Sequence, residues 1–444
     1  MTLQGERSSP ALSLPKGLGG SKLRPIRVPA NRTSFFLGVA NGILFTTGMA
    51  LFDPGTVVAV FIQRLTNSSV LVGLIVSLVP FGWLLPQLWQ ARYLEARPRK
   101  LGAYRASAAV RIPALLALTI TAWLLIDSHP REALICFMTF YTIYCLASGM
   151  GGIAFMDIVG KTIPGNYLGS FFGARQLGGG LLAVTAGMFL VKPLLRGYGF
   201  PSGYLILFAV GTAVISIGLL CFANVPEPPG PARDTRRPLG TFLRGVLESI
   251  RQDRNLRRLL RLRWVIAAAQ IGTPFYVVFC IDVLGAGEGM VGVYLAASTV
   301  GMVAANLVFA PMSDRRGHRW PIIVGTACAA VAAAFVALVA LLPVPKAAVA
   351  FAFLPAVFAM SAGHAGQHLG TTSYILEHAA PADRPLYVGA VNTLTAPLAF
   401  TPVLGGIIVQ SAGYQWAFLL TALGSAVALL VATRLGEIKR QVTD

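Results

Sequence analysis

The chain has 444 residues, of which 55% are hydrophobic and only 12% charged, and its mean hydropathy is +0.69. A soluble domain carries roughly twice that charged fraction, so the composition excludes an ordinary globular protein. The formal net charge of +19 would suggest nucleic-acid binding in a soluble chain, but here the charges cluster between apolar runs of about 20–30 residues, long enough to cross a hydrocarbon core.

Residues 1–33 are basic, contain Pro, Gly and Ser, and lack an apolar h-region. They are expected to form a disordered cytoplasmic tail with no cleaved signal peptide. Apolar runs at 34–63, 69–91, 104–127, 132–162, 167–193 and 202–224 predict an N-terminal six-helix half over 34–225. Runs at 262–285, 289–311, 319–342, 347–376, 384–412 and 415–435 predict a second half over 262–435, followed by a tail at 436–444. The fold class is therefore an all-α membrane protein of twelve transmembrane helices in two pseudo-symmetric halves. With the N-terminus inside, the outer loops hold only Arg64, Arg131, Lys192, Arg196 and Lys346, while Arg111 and Arg175 lie within spans. The remaining Lys and Arg fall on the inner side, as the positive-inside bias requires. Both termini are expected in the cytoplasm, and the chain in the cytoplasmic (inner) membrane of a bacterium. Cys136, Cys145, Cys221, Cys280 and Cys328 all lie in apolar runs without CxxC spacing, so they read as small core residues, with no cofactor or metal implied.

Ionisable groups inside spans are costly and each asks for an explanation. In the first span Asp53 precedes Pro54-Gly55, which frees backbone groups. Asp53 either faces a cavity or caps the second part of a kinked helix. Asp157 and Arg175 lie about 10–12 Å from the same turn on adjacent antiparallel spans, and a structural or gating ion pair between them is expected. Arg111 is expected to snorkel inward or to join them.

The polar stretch 226–261 opens with Pro226-Glu227-Pro228-Pro229-Gly230 and is rich in Arg. It is expected to link the halves. Phe242, Leu243, Val246, Leu247 and Ile250 recur at helical spacing within it. That pattern predicts an amphipathic helix on the inner leaflet, held by anionic headgroups, rather than a nucleic-acid site. Asp282 and Glu288 flank the short outer loop after the seventh span. In the tenth span His364, Gln367, His368 and Thr371 share one face, with Gly363, Gly366 and Gly370 among them. That stripe suits cavity lining, interhelical hydrogen bonds or, lacking the Glu of a His-Glu-x-x-His motif, less readily a metal.

The halves repeat. A shift of about 219 residues lays Val72-Gly73 on Val291-Gly292, Gly82 on Gly301 and Leu88 on Leu307, and a one-residue adjustment lays Pro54 on Pro274. After the eighth span, Asp314-Arg315-Arg316-Gly317-His318-Arg319 resembles the D-R-x-G-R-[RK] loop motif of the major facilitator superfamily. The first-half equivalent runs from Ala91 through Glu95 to Lys100, with Glu in place of Asp. The resemblance implies that Glu95, Asp314, Arg315, Gly317 and Arg319 latch the cytoplasmic side. It also implies that Asn41, Gln270 and Thr273 join Asp53 and the tenth-span stripe around a cavity shared by the halves. Thr401-Pro402-Val403-Leu404-Gly405-Gly406 looks like the P-x-x-G-G element of drug–proton antiporters, but in the eleventh span rather than the fifth.

The expected function is secondary transport of a small solute by alternating access, acting as a monomer. Proton coupling is one version, and the few central charges favour a neutral or amphipathic solute. A non-transporting sensor or assembly factor on the same fold, and a membrane metalloenzyme using the His pair, are the alternatives.

Overall fold

The computed structural model describes residues 32–95, 97–164, 167–230, 239–342, 351–378 and 384–436. The expectations for residues 1–31 and 437–444, Lys346 and the side chain of Glu95 lie outside the described residues, as do those for Phe242, Leu243 and Val246. Regular structure among the described residues is helical throughout. Ten helices there are long and apolar enough to cross a membrane, and Val57–Thr66 and Ser69–Leu84 are shorter apolar ones.

The first span is two helices, α1 (Arg32–Leu51) and α2 (Val57–Thr66). Pro54 cannot donate to a helix, and the chain turns through 52–56 before resuming. α3 (Ser69–Leu84) starts at Ser68, whose hydroxyl accepts from Leu71 N at 3.4 Å, and is followed by α4 (Gln87–Glu95). Then come α5 (Leu101–Leu125), α6 (Pro130–Thr162) and α7 (Leu168–Ala186), which passes through a π-turn at Gly187–Val191 into α8 (Lys192–Gly197). α9 (Ser202–Ala223) completes the first half of the chain.

The stretch between the halves carries α10 (Leu239–Gln252), which runs into α11 (Arg254–Ala268) after Asp253. The Asp253 carboxylate caps α11 by accepting from Asn255 N at 2.8 Å and Leu256 N at 3.1 Å. Leu247 is exposed, whereas Ile250 packs onto a cluster containing Leu256, Leu259, Tyr374 and Val391. Part of the apolar face of α10 therefore rests on the protein rather than facing away from it.

The seventh span breaks at Gly272 and a 3₁₀ turn over Thr273–Phe275 before α12 (Tyr276–Asp282). Pro274 thus marks a break at the depth where Pro54 marks one in the first span. α13 (Met290–Arg316), α14 (Arg319–Leu341) and α15 (Leu354–His378) follow. α16 (Arg384–Thr395) and α17 (Thr401–Ala412) are separated by a 3₁₀ turn at Ala396–Phe400, and α18 (Tyr414–Thr433) is last.

Small residues set the closest approaches, as expected where helices pack without a hydrophobic drive between them. α14 lies on α15 at Gly325 and Gly363, where a Cβ on Gly363 would stand 2.7 Å from the Gly325 carbonyl oxygen. The two halves of the chain meet along α3 with α17 and along α7 with α13. A Cβ on Gly187 would stand 2.7 Å from the Gly292 carbonyl oxygen across that second seam.

Candidate functional site

A cavity of about 680 Å³ opens between the halves. Both proline breaks reach its wall: Asp53, Pro54, Gly55 and Thr56 from the first half, Gln270, Thr273 and Pro274 from the second. α15 contributes His364, Gln367, His368 and Thr371, so seven of the eight residues proposed from the sequence line one space.

Their chemistry differs. The Asp53 Oδ1 accepts from the Gly55 N–H at 3.1 Å and from the Thr56 hydroxyl at 2.8 Å. The carboxylate therefore holds the turn before α2 and also lines the cavity, but it does not cap α2, whose N-cap position is Thr56. Gln367 is buried and lies 3.4 Å from the Thr326 hydroxyl on α14, and Thr371 donates to the Gln367 carbonyl of its own helix at 2.7 Å. His364 and His368 are less committed, and His368 is exposed to the cavity. No third metal-ligating side chain joins them among the described residues.

Asn41 does not line the cavity. It is 3% exposed, donates to the Gly218 carbonyl at 2.8 Å, and accepts from Arg175 Nη1 at 3.0 Å. Asn41 is short, and helices α1, α7 and α9 crowd around it, so its amide is consumed in joining them.

The expected pair of Asp157 with Arg175 is not formed. Arg175 also donates to the Gly38 carbonyl and lies over the Phe155 ring at 4.6 Å. Asp157 instead pairs with Lys100 and, at 2.6 Å, with Lys161 one turn further along α6. Glu227, from the Pro-rich opening of the linker, completes that network. Its side chain is 1% exposed and accepts from Lys161 Nζ at 3.0 Å and from the backbone N–H groups of Lys100 and Leu101. It thereby caps α5. An acid flanked by prolines was the signal for this anchor, but the sequence does not say which helix it reaches.

In the loop between α13 and α14, Gly317 has φ +95°, a conformation that excludes most side chains. His318 replaces the motif's basic residue and bonds Ser313 Oγ at 2.6 Å and Glu377 at 3.4 Å. Asp314 and Arg315 are exposed, and Arg319 stacks against Trp320.

The reading of the sequence missed two groups. Arg263 lies in α11, lines the cavity, and donates to Asn392 Oδ1 at 3.0 Å, while Asn392 donates to Gln87 Oε1 of α4 at 2.8 Å. This chain of bonds crosses from one half to the other near the end that carries the linker. At the opposite end Arg64 reaches Glu288 at 3.1 Å and Asp282 at 3.8 Å, again across the halves. Asp282 and Glu288 are thus partners of Arg64 across the halves.

Residues 265–442 match the family model described as the Major Facilitator Superfamily. No curated protein matches the chain. Among solved structures, the chain is similar to a mutant of the nucleoside transporter NupG at 14% identity and a TM-score of 0.67, over 91% of this chain and 100% of that one. It is similar to a D-xylose–proton symporter at 15% identity and a TM-score of 0.66, over 91% and 97%. The xylose transporter XylE from E. coli, in a partially occluded inward open conformation, is 12% identical with a TM-score of 0.67, over 92% and 99%. At such identities the likeness establishes the fold.

Proposed function

We propose that the chain is a secondary transporter of the major facilitator superfamily that moves a small solute by alternating access, a reading supported by the family match over residues 265–442 and by the fold. The observation that carries this reading is a cavity between the halves, walled by the helix breaks of both and bridged at the end away from the linker by the pairs of Arg64 with Glu288 and Asp282. Breaks of this kind expose backbone groups where a solute can use them. Rocking one half against the other would exchange the Arg64 seal for a seal at the linker end.

In this reading the chain crosses the cytoplasmic membrane of a bacterium twelve times, with both termini on the charge-rich inner side. The cavity is complete within one chain, which supports a monomeric unit. Its wall mixes rings and aliphatic groups, such as Trp83, Val79 and Met360, with the polar groups above, and so favours an amphipathic solute. Asp53, His364 and His368 are the wall groups suited to carry a coupling proton. The basic stretch around α10 favours contact with anionic headgroups at the inner surface.

The test begins with a thermal-shift screen of purified protein, repeated with Asp53→Asn and His364→Ala, because a solute that binds the folded state raises its apparent stability. Compounds that stabilise the wild type are then assayed for uptake into proteoliposomes. The expected result is uptake of at least one stabilising compound, reduced in both variants. Stabilising compounds that never cross would sink the transporter reading and favour a sensor on this fold.

A further inference from the structure

Three arginines occupy the interior near the cavity, and none has a carboxylate within ion-pair distance among the described residues. Arg263 is on the wall, with the neutral Asn392 as its acceptor. Arg175 is satisfied by a backbone carbonyl and by Asn41. Arg111 is 5% exposed, lies 3.4 Å from the Tyr144 hydroxyl, and has no partner for its Nε. Each lies about 10–15 Å along its helix from the linker end, by the rise of an α-helix. His368 faces the cavity from α15 at comparable depth. The acidic side chain on the cavity wall is Asp53, at the break further from the linker, where its Oδ1 already serves the turn.

Charges inside a membrane protein are ordinarily paired, because an unpaired one forfeits hydration without return. Here Arg263 lines a space that a solute can enter, with Arg111 and Arg175 behind its wall, and the carboxylate on that wall, Asp53, stands at the far break and already serves the turn there. We propose that the solute supplies the countercharge: the cavity binds an amphipathic organic anion, with a carboxylate or phosphate head against Arg263 and His368 and an apolar body against Trp83 and Met360. Arg111 and Arg175, set behind the wall, add to the positive potential without touching the anion. This inference rests on the reading of the cavity as the transport site, and it replaces the neutral solute that the sparse central charges suggest in the sequence.

The test uses full-length protein in a neutral detergent and matched probes. Phenylpropyl, naphthyl and octyl bodies each carry a carboxylate, a phosphate monoester, a primary amide or an ammonium head. Thermal shift and calorimetry read binding. The expected result is stabilisation confined to the anionic members. Their dissociation constants should rise roughly 10- to 100-fold in Arg263→Gln, the loss expected for a hydrogen bond to a charged group, and less in Arg263→Lys. The wild-type panel is decisive even if a variant fails to fold. Tightest binding by amides or ammonium compounds, or stabilisation by no member, overturns the proposal. Arg263-dependent stabilisation by dioleoylphosphatidylglycerol, with no effect of the soluble anions, retains the anion and assigns it to a lipid headgroup. Anion-selective binding without uptake into vesicles would overturn the transport reading and leave this one standing.

Discussion

Glu227 shows how much one side chain can hold. Its side chain is shielded from solvent, and it satisfies two backbone N–H groups at the start of α5 as well as Lys161. Removing one partner of a buried pair costs about 3–5 kcal/mol, because the other is left without compensation. Glu227→Ala is therefore expected to lower apparent stability in detergent by about that much, with Glu227→Gln losing less because its amide oxygen still accepts. Unchanged melting of the alanine variant would show that the anchor is idle. The sequence marks Asp157 and Arg175 as costly and places both at similar depth, but depth is one coordinate and azimuth is another. Lys100 and Lys161 are nearer to Asp157 around the helix axes, and Arg175 points to Asn41, so the pair read from depth alone does not exist. Arg263 escaped notice for a related reason: it sits where a basic linker merges into a span, and composition cannot say where the linker stops.

At the scale of the helix, legibility was better. Proline at matching depth marks breaks in the first and seventh spans, and the chain turns at both. That signal is strong because the missing N–H acts locally, whatever the tertiary surroundings. The stripe on α15 was legible as a face, but its division was not. His364 and His368 turn to the cavity, whereas Gln367 and Thr371 also serve helix packing, and that split depends on α14. The glycines of this stripe pack against α14. Gly363→Val places methyl groups where the Gly325 backbone stands, and overpacking of this kind costs about 1–3 kcal/mol. Its melting temperature is expected to fall. Gly160→Val on α6 meets nothing within 4 Å and should melt with the wild type; equal loss in both variants would point to helix propensity instead.

For the whole molecule, the bonds between halves decide which end of the cavity is shut. At the linker end the halves are joined through neutral amides, Asn392 to Gln87, but at the other end through an arginine and two carboxylates. Arg64→Gln keeps a hydrogen-bonding side chain and removes the charge. Spin labels at Asn67→Cys and Gly287→Cys, in a background free of native cysteines, should then report longer and broader distances. An unaltered distribution would mean that the packing of α7 on α13 closes this end unaided. The apolar helices and the loop motif come from hydrophobic period and local turn chemistry, which a sequence records directly. Inter-half contacts join residues far apart in the chain, 105 positions for Gly187 and Gly292 and 305 for Asn392 and Gln87, and no local rule selects them.

The Arg64 seal is also partly wet: its three side chains retain 38%, 23% and 20% of their exposure. Exposed pairs of this kind are worth about 0.2–1 kcal/mol and weaken as the screening length falls from about 8 Å in physiological salt to 3 Å at 1 M. The linker-end amides carry no net charge and are indifferent to ionic strength. The Arg64 clasp is thus the brine-sensitive bridge of its face. In the proposed cycle, raising salt on that face of a vesicle, and not on the other, should shift the balance of the two orientations by up to ~5-fold, so that the osmotic history of one compartment sets how often the cavity opens towards it.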